Sequence, residues 1–143
     1  MRVVRLGPPE ARQLLADLEP DTGDATLDQL IVDARTRYLS RDPADERIGL
    51  EKLWDAFERL KTIEHGKNKK MQVTALLDRV ASGTMRVTLE QEALALTGIG
   101  NQMQIRHFGA GRTELSEVDV DYLFIRMATF VFHVLRSTQR LVT

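Results

Sequence analysis

The segment from Tyr122 to Leu135 constrains the fold most strongly, because apolar residues occupy nearly every face of the helix that it would form. A helix that is apolar all round is buried all round, either inside a bundle or at a subunit interface. In a chain of 143 residues, cover by a second subunit is the simpler account. The segment therefore predicts a central last helix and a homodimer. Arg126 and His133 interrupt it, and its apolar part is too short to span a bilayer.

The overall composition gives no general attraction to nucleic acid or to an anionic membrane. The formal charge is −1 and 43% of the residues are hydrophobic, so any RNA contact must come from a local patch. Cysteine is absent, which excludes disulfides, thiol catalysis and Cys-ligated metals and fits a reducing compartment. The N-terminal stretch lacks the apolar core of a signal peptide. We expect a cytoplasmic protein that does not associate with membranes.

Hydrophobic periodicity predicts an all-α fold, an up-and-down bundle of about five helices. Pro8 and Pro9 open an amphipathic stretch, which predicts a short helix with proline in its first turn. We assign residues 1–25 to an N-terminal arm with this short helix and residues 26–143 to the bundle. No strand pattern stands out in the sequence.

Apolar stripes and capping residues predict where the helices of the bundle begin and end. Thr26 can cap the first of them, and a longer helix covers residues 44–64. The apolar stripe of that longer helix consists of Leu50, Leu53, Trp54, Phe57 and Leu60. The charged residues that lie outside this stripe are Glu46, Lys52, Glu58, Arg59 and Lys61. Trp54 and Phe57 are therefore predicted core residues and not a platform for stacking bases.

The second half of the chain contains three further predicted helices. Periodicity resumes at Met71 and stops at Ser82, after a basic connection. Thr88 can cap the next helix, with Gln91 as its capping-box partner. The last helix starts at Ser116 or Glu117 and runs to about residue 141.

The junction between the last two helices, residues 99–112, is the main candidate site. It gathers Asn101, Arg106, His107 and Arg112 beside flexible glycines. A histidine can pass a proton in either direction near neutral pH, and an arginine binds phosphate with two parallel donors. His107 could activate a ribose 2′-hydroxyl or protonate a leaving oxygen, while Arg106 stabilises the phosphorane. Alternatively, Arg106 and His107 merely cap the end of a helix.

Two other groups of residues are secondary candidates. Lys67, Lys69 and Lys70 form a basic cluster that is either a solvated loop or a rim contacting RNA phosphates, as Arg112 could also do. Arg126 and His133, seven residues apart, share one face of the last helix. The alternative interpretation of this pair is a buried histidine bonded across an interface, with the arginine paired to Glu117 or Asp121. None of the three histidines has metal-ligand spacing with a carboxylate cluster, so we expect no metal and no cofactor.

The order of an amphipathic helix, a polar Asn–Arg–His junction and a long apolar last helix resembles the HEPN superfamily. The similar stretches are residues 50–62, the junction and residues 120–135, and the likeness covers roughly residues 26–140. HEPN domains are small dimeric helical bundles in prokaryotic antiviral defence, abortive infection and toxin–antitoxin systems. The resemblance implies a metal-independent endoribonuclease with its site across a two-fold axis, together with an antitoxin or a larger defence-system partner.

The family's pattern is an arginine followed, after four to six residues, by a histidine. Counted from Arg106, the histidine's place is taken by Arg112, so the junction departs from this pattern. Arg126 and His133, with six residues between them, match it literally, as do Arg59 and His65 at a helix end. The sequence therefore leaves two hypotheses open. One is a ribonuclease that uses His107, Arg106 and Asn101, and the other is a non-catalytic helical module for dimerisation or for sensing a nucleotide or nucleic acid.

Overall fold

The computed structural model describes residues 9–103, 105 and 114–142. Over these residues the chain forms six helices and one pair of very short strands, which confirms the all-α class. The elements are α1 (Pro9–Asp17), β1 (Glu19–Pro20), α2 (Ala25–Leu39), α3 (Pro43–Leu60), α4 (Lys69–Val80), α5 (Gly83–Gln102), α6 (Glu117–Ser137) and β2 (Leu141–Val142).

Helices α2 and α3 pack closely along each other. Their backbones approach at Gly49, where an added Cβ would lie 2.9 Å from the backbone nitrogen of Tyr38. Asp24 caps α2 by accepting a hydrogen bond from the backbone nitrogen of Leu27. The prediction that Thr26 is the cap was wrong, because the aspartate two residues earlier already satisfies this donor.

Helix α6 lies against the α2–α3 pair and forms the centre of the core. Tyr38 of α2 stacks on Phe124 with ring centroids 3.9 Å apart, and Phe57 of α3 meets Phe130 edge to face at 5.7 Å. The buried residues of α6 are Val120, Leu123, Phe124, Met127, Ala128, Phe130, Val131, Phe132, Val134 and Leu135. The chain itself therefore covers most of this helix, and burial of these residues requires no second subunit.

One strip of α6 remains uncovered by the described residues. Val118 and Tyr122 are 65% and 61% exposed, Thr129 is exposed, and Ile125 and His133 are half-buried. A homodimer would have to use this narrow strip and not the broad apolar surface suggested by the sequence, and dimerisation stays a prediction.

The predicted stripe of α3 is confirmed, since all five of its residues are buried. Two of the charged residues placed outside it, Glu46 and Lys61, are nevertheless buried. The helix ends at Leu60, four residues earlier than predicted. The burial of Glu46 and Lys61 arises from tertiary contacts, because α3 is covered by both α2 and α6.

The boundaries of α5 and α6 also differ from expectation. Helix α5 begins at Gly83, with Ser82 in the N-cap position, so Thr88 lies inside the helix and does not cap it. Instead, the Thr88 hydroxyl donates to the carbonyl of Thr84, one turn earlier. Helix α6 begins at Glu117, one of the two predicted starts, and Ser116 caps it by accepting from the backbone nitrogen of Asp119. The helix ends at Ser137, about four residues earlier than predicted.

Two features tie the segment after α6 to the rest of the fold. Strand β2 pairs antiparallel with β1, matching Glu19 to Val142 and Pro20 to Leu141. Each strand has only two residues, which is too short for the sequence to show a strand pattern. Glu64, which follows α3, accepts hydrogen bonds from Arg140 and from Arg79 of α4. Burial alone would raise the pKa of Glu64, but these two guanidinium groups outweigh it and lower the pKa.

None of the helices in the described part of the chain is long and apolar enough to cross a membrane.

Candidate functional site

The structure describes only one of the four polar residues in the predicted junction site. Asn101 lies exposed in the last turn of α5. Arg106, His107 and Arg112 lie outside the described residues. The catalytic arrangement predicted for the junction therefore stays a prediction.

Helix α3 contributes buried charges beside the entry to this junction. Ile105 is fully buried, and its carbonyl oxygen lies 3.5 Å from Nη2 of Arg47. The Arg47 Nε lies 4.0 Å from Oε1 of Glu51, and both side chains are less than 10% exposed. Sequence reasoning missed these residues, although their i, i+4 spacing is the usual signal of a helical ion pair.

Arg126 and His133 line the same groove between α5 and α6. The groove has a volume of about 640 Å³, which is within the range of small-molecule sites. Its polar lining consists of Thr88, Gln91, Glu92, Arg126, Thr129 and His133. Arg126 and His133 therefore lie on the same face of α6, as predicted, and this face is open to solvent.

A carboxylate from α5 holds the guanidinium of Arg126. Nη2 and Nε of Arg126 donate to the two carboxylate oxygens of Glu92 at 2.7 and 3.2 Å. This hydrogen bonding raises the pKa of Arg126 and fixes its planar donor group in one orientation. The predicted partners, Glu117 and Asp121, are wrong, because the pairing is between helices. Asp121 instead accepts a hydrogen bond of 2.8 Å from the hydroxyl of Tyr38.

His133 stands between two depressions on the surface of α6. Besides the groove with Arg126, it lines a smaller depression with Leu15 of α1, Ile125 and Arg136. Thr129 lines both depressions as well. The imidazole is half-buried, so its environment combines apolar packing with access from solvent.

The predicted lysine cluster lies at the start of α4 and does not line the groove of Arg126. Lys67 is exposed in the connection before α4, whereas Lys69 and Lys70 line a separate pocket between α4 and α5. The α5 residues that line this pocket and those that line the groove lie on opposite faces of the helix, since each residue turns by about 100°. The lysines therefore cannot form a rim around Arg126 and His133.

Lys61, which the sequence placed among solvated residues, is the buried member of this second pocket. Its ammonium donates to Oγ1 of Thr97 at 2.9 Å and lies 2.6 Å from Oε2 of Glu58. Burial, together with repulsion from Lys69, lowers the pKa of Lys61. The sequence held no signal for this arrangement, because it depends on how α3, α4 and α5 meet.

In the described ranges, no three histidine, aspartate or glutamate side chains converge in a way that could hold a metal ion. No protein-family model, curated protein or solved structure matches the chain. The resemblance to the HEPN superfamily stays a prediction based on the motifs in the sequence.

Proposed function

We propose that the chain is a HEPN-like domain of a prokaryotic defence or toxin–antitoxin system that cleaves RNA without a metal. The observation that carries this proposal is the shared groove of Arg126 and His133. These two residues have the arginine-to-histidine spacing of the family that the sequence resembles. In a helical domain of near-neutral charge, such a groove offers a local site for one phosphodiester and its ribose.

The proposed reaction is an attack by the ribose 2′-hydroxyl on the adjacent phosphorus. The neutral imidazole of His133 accepts the hydroxyl proton, and the 2′-oxygen forms a bond to phosphorus. The bond to the 5′-oxygen breaks, and that oxygen takes up a proton. Arg126 donates to the nonbridging oxygens, where negative charge develops. The products are a 2′,3′-cyclic phosphate and a 5′-hydroxyl.

Glu92 acts in this proposal as a positioning residue. A guanidinium that is held at Nη2 and Nε still has donors at Nη1 and on the outer side of Nη2. The ion pair therefore orients the remaining donors of Arg126 without using all of them. His133 belongs to the exposed strip of α6, so a homodimer built on this strip would include both copies of the imidazole in its interface.

One observation favours the second function class, a non-catalytic module that senses a nucleotide or nucleic acid. The carboxylate of Glu92 lines the groove and offsets the charge of Arg126. Without a further cation, a phosphate entering the groove meets little net positive charge. Such a site would bind RNA weakly and leave it intact.

The deciding experiment incubates the purified protein with end-labelled single-stranded RNA in EDTA. We expect cleavage that leaves cyclic phosphate ends. His133→Asn should lower the rate by about 100-fold or more, the usual contribution of a general acid–base group. His65→Asn is the matched control, because His65 is exposed in the connection before α4, and it should cleave like the wild type.

Two results would contradict the proposal. If His107→Asn abolishes cleavage and His133→Asn does not, the active site is the junction containing Asn101, Arg106 and Arg112. If the wild type binds RNA but leaves it intact, the non-catalytic function is correct. Thermal unfolding of each variant must match that of the wild type for these comparisons to hold.

A further inference from the structure

The pocket on the other face of α5 combines apolar walls with buried and surface lysines. It has a volume of about 400 Å³, which also lies within the range of small-molecule sites. Three elements enclose it, namely the end of α3, the first turns of α4 and the middle of α5. The lining residues are Lys61, Lys69, Lys70, Val73, Thr74, Glu90, Ala93, Leu94 and Thr97.

The charges around this pocket leave an excess of positive charge. Glu58 is the carboxylate that faces the lysines, and its two oxygens each lie 2.6 Å from an ammonium, that of Lys61 and that of Lys69. Burial would raise the pKa of Glu58, but the two adjacent ammonium groups outweigh it and lower the pKa. Glu90 pairs with Arg86 at 3.4 Å, and Lys70 forms no ion pair within the described residues.

The walls of the pocket are mainly aliphatic. Val73 is half-buried and Ala93 is buried, while Leu94 is 68% exposed at the edge. Leu94 is the most exposed large apolar side chain among the described residues. Lys61 and Lys69 share the single carboxylate of Glu58, and Lys70 adds a further positive charge. An apolar side chain beside this excess of positive charge is suited to a ligand that has an apolar part and a negative charge.

From this combination we propose that the α4–α5 pocket binds a small amphiphilic anion. Its aliphatic body would lie against Val73 and Leu94, and its carboxylate or phosphate would accept hydrogen bonds from Lys69 and Lys70. An RNA backbone would satisfy the lysines but would leave the leucine uncovered. This site is independent of the groove that contains Arg126 and His133.

Isothermal titration with sodium decanoate at low ionic strength tests the proposal. We expect saturable binding by the full chain below the micellar concentration, weakening as salt screens the lysines. Acetate, which lacks the apolar body, and decyl glucoside, which lacks the charge, should bind at least about tenfold more weakly. Decyl phosphate should compete with decanoate, and the tighter of the two identifies the preferred head group.

Two pairs of variants locate the site. Lys70→Gln should weaken decanoate binding about tenfold, whereas Lys67→Gln, in the same basic segment but outside the pocket, should not. Leu94→Gln should have a similar effect, and Val87→Gln is its control because Val87 is also exposed on α5. His133→Asn should bind decanoate normally, so failure of the ribonuclease proposal leaves this one intact.

The absence of saturable decanoate binding would overturn the proposal. Equal losses from Lys70→Gln and Lys67→Gln would also overturn it, since they would indicate general attraction to a basic surface. Equal affinity for acetate and decanoate would show that the site binds anions without using its apolar wall. The variants at Lys67, Lys70, Val87 and Leu94 change exposed side chains, so their effect on folding should be small.

Discussion

Gly100 of α5 lies directly against the indole ring of Trp54 in α3. A Cβ added to Gly100 would stand less than 3.0 Å from three atoms of that ring. The contact holds the end of α5, and with it the start of the junction that contains Asn101, against the core.

Replacing Gly100 by alanine should destabilise the protein by about 1–3 kcal/mol, because the buried indole would have to move. Gly98→Ala is a matched control in the same helix, where an added Cβ would meet nothing within 4 Å. The control should gain up to about 1 kcal/mol from better helix propensity. Urea unfolding measures both changes, and equal effects would contradict the tight packing at Gly100.

Tyr38→Phe should lower the free energy of unfolding by about 1–2 kcal/mol. Tyr38 is fully buried, and its hydroxyl donates to Asp121 at 2.8 Å. The substitution keeps the ring stacked on Phe124 but removes a hydrogen bond to a charged acceptor. Tyr122→Phe, at an exposed position of α6, is the control and should change stability by only a few tenths of a kcal/mol. Comparable losses in chemical denaturation would argue against the α2–α6 hydrogen bond.

The stability of the protein should fall in acid partly through Glu64. Because its pKa is lowered in the folded state, the unfolded chain binds more protons as the pH falls. The stabilising contribution is therefore fully present above the ordinary glutamate value of about 4.3 and is lost as the pH falls through the lowered folded pKa. Glu64→Gln should show a flatter stability profile between pH 6 and 3 than the wild type, since the glutamine does not titrate.

Denaturation curves across this pH range give the comparison. Glu114→Gln, at an exposed position, should leave the pH profile of the wild type unchanged. A Glu64→Gln profile as steep as that of the wild type would show that other carboxylates cause the acid sensitivity.

Thr129→Arg should prevent homodimerisation if two chains meet through the exposed strip of α6. Thr129 is an exposed member of this strip, and a long charged side chain there would be costly to bury. Light scattering after gel filtration should give a dimer mass for the wild type and a monomer mass for the variant. Thr36→Arg, on the exposed side of α2, should remain dimeric. A monomeric wild type at high protein concentration would contradict dimerisation itself.

Glu92→Gln should lower RNA cleavage without abolishing RNA binding. The variant retains the size of the side chain but removes the charge that orients Arg126. We expect a loss of about tenfold in kcat with little change in KM, since ground-state binding of the phosphate would persist. Gln91→Glu makes the reverse change at a neighbouring position of the groove. This variant tests whether an added negative charge changes KM for RNA and not kcat.

Local patterns in the sequence predicted those parts of the fold that depend on neighbouring residues. The stripe of α3, the proline start of α1 and the start of α6 at Glu117 each depend on residues within one or two turns. The start of α5 was missed because Gly83, its first residue, has a φ of +60°, a conformation that usually follows the end of a helix.

The features that the sequence could not predict depend on contacts between distant segments. Arg126 pairs with Glu92, 34 residues away, although three carboxylates of α6, those of Glu117, Asp119 and Asp121, lie closer in sequence. Glu46 and Lys61 are buried because neighbouring elements cover a second side of α3. The apolar character of α6 correctly predicted a central helix, but it could not distinguish cover by another subunit from cover by the same chain.

The pairing of β1 with β2 has a consequence for the order of folding during synthesis. Glu19 and Pro20 leave the ribosome long before Leu141 and Val142. Strand β1 can therefore pair with β2 only after nearly the whole described chain has been synthesised. Helices α2 and α3 can meet much earlier because they are adjacent in sequence. The strand pair and the contact of Arg140 with Glu64 therefore form late in folding, after α6 has docked against the earlier helices.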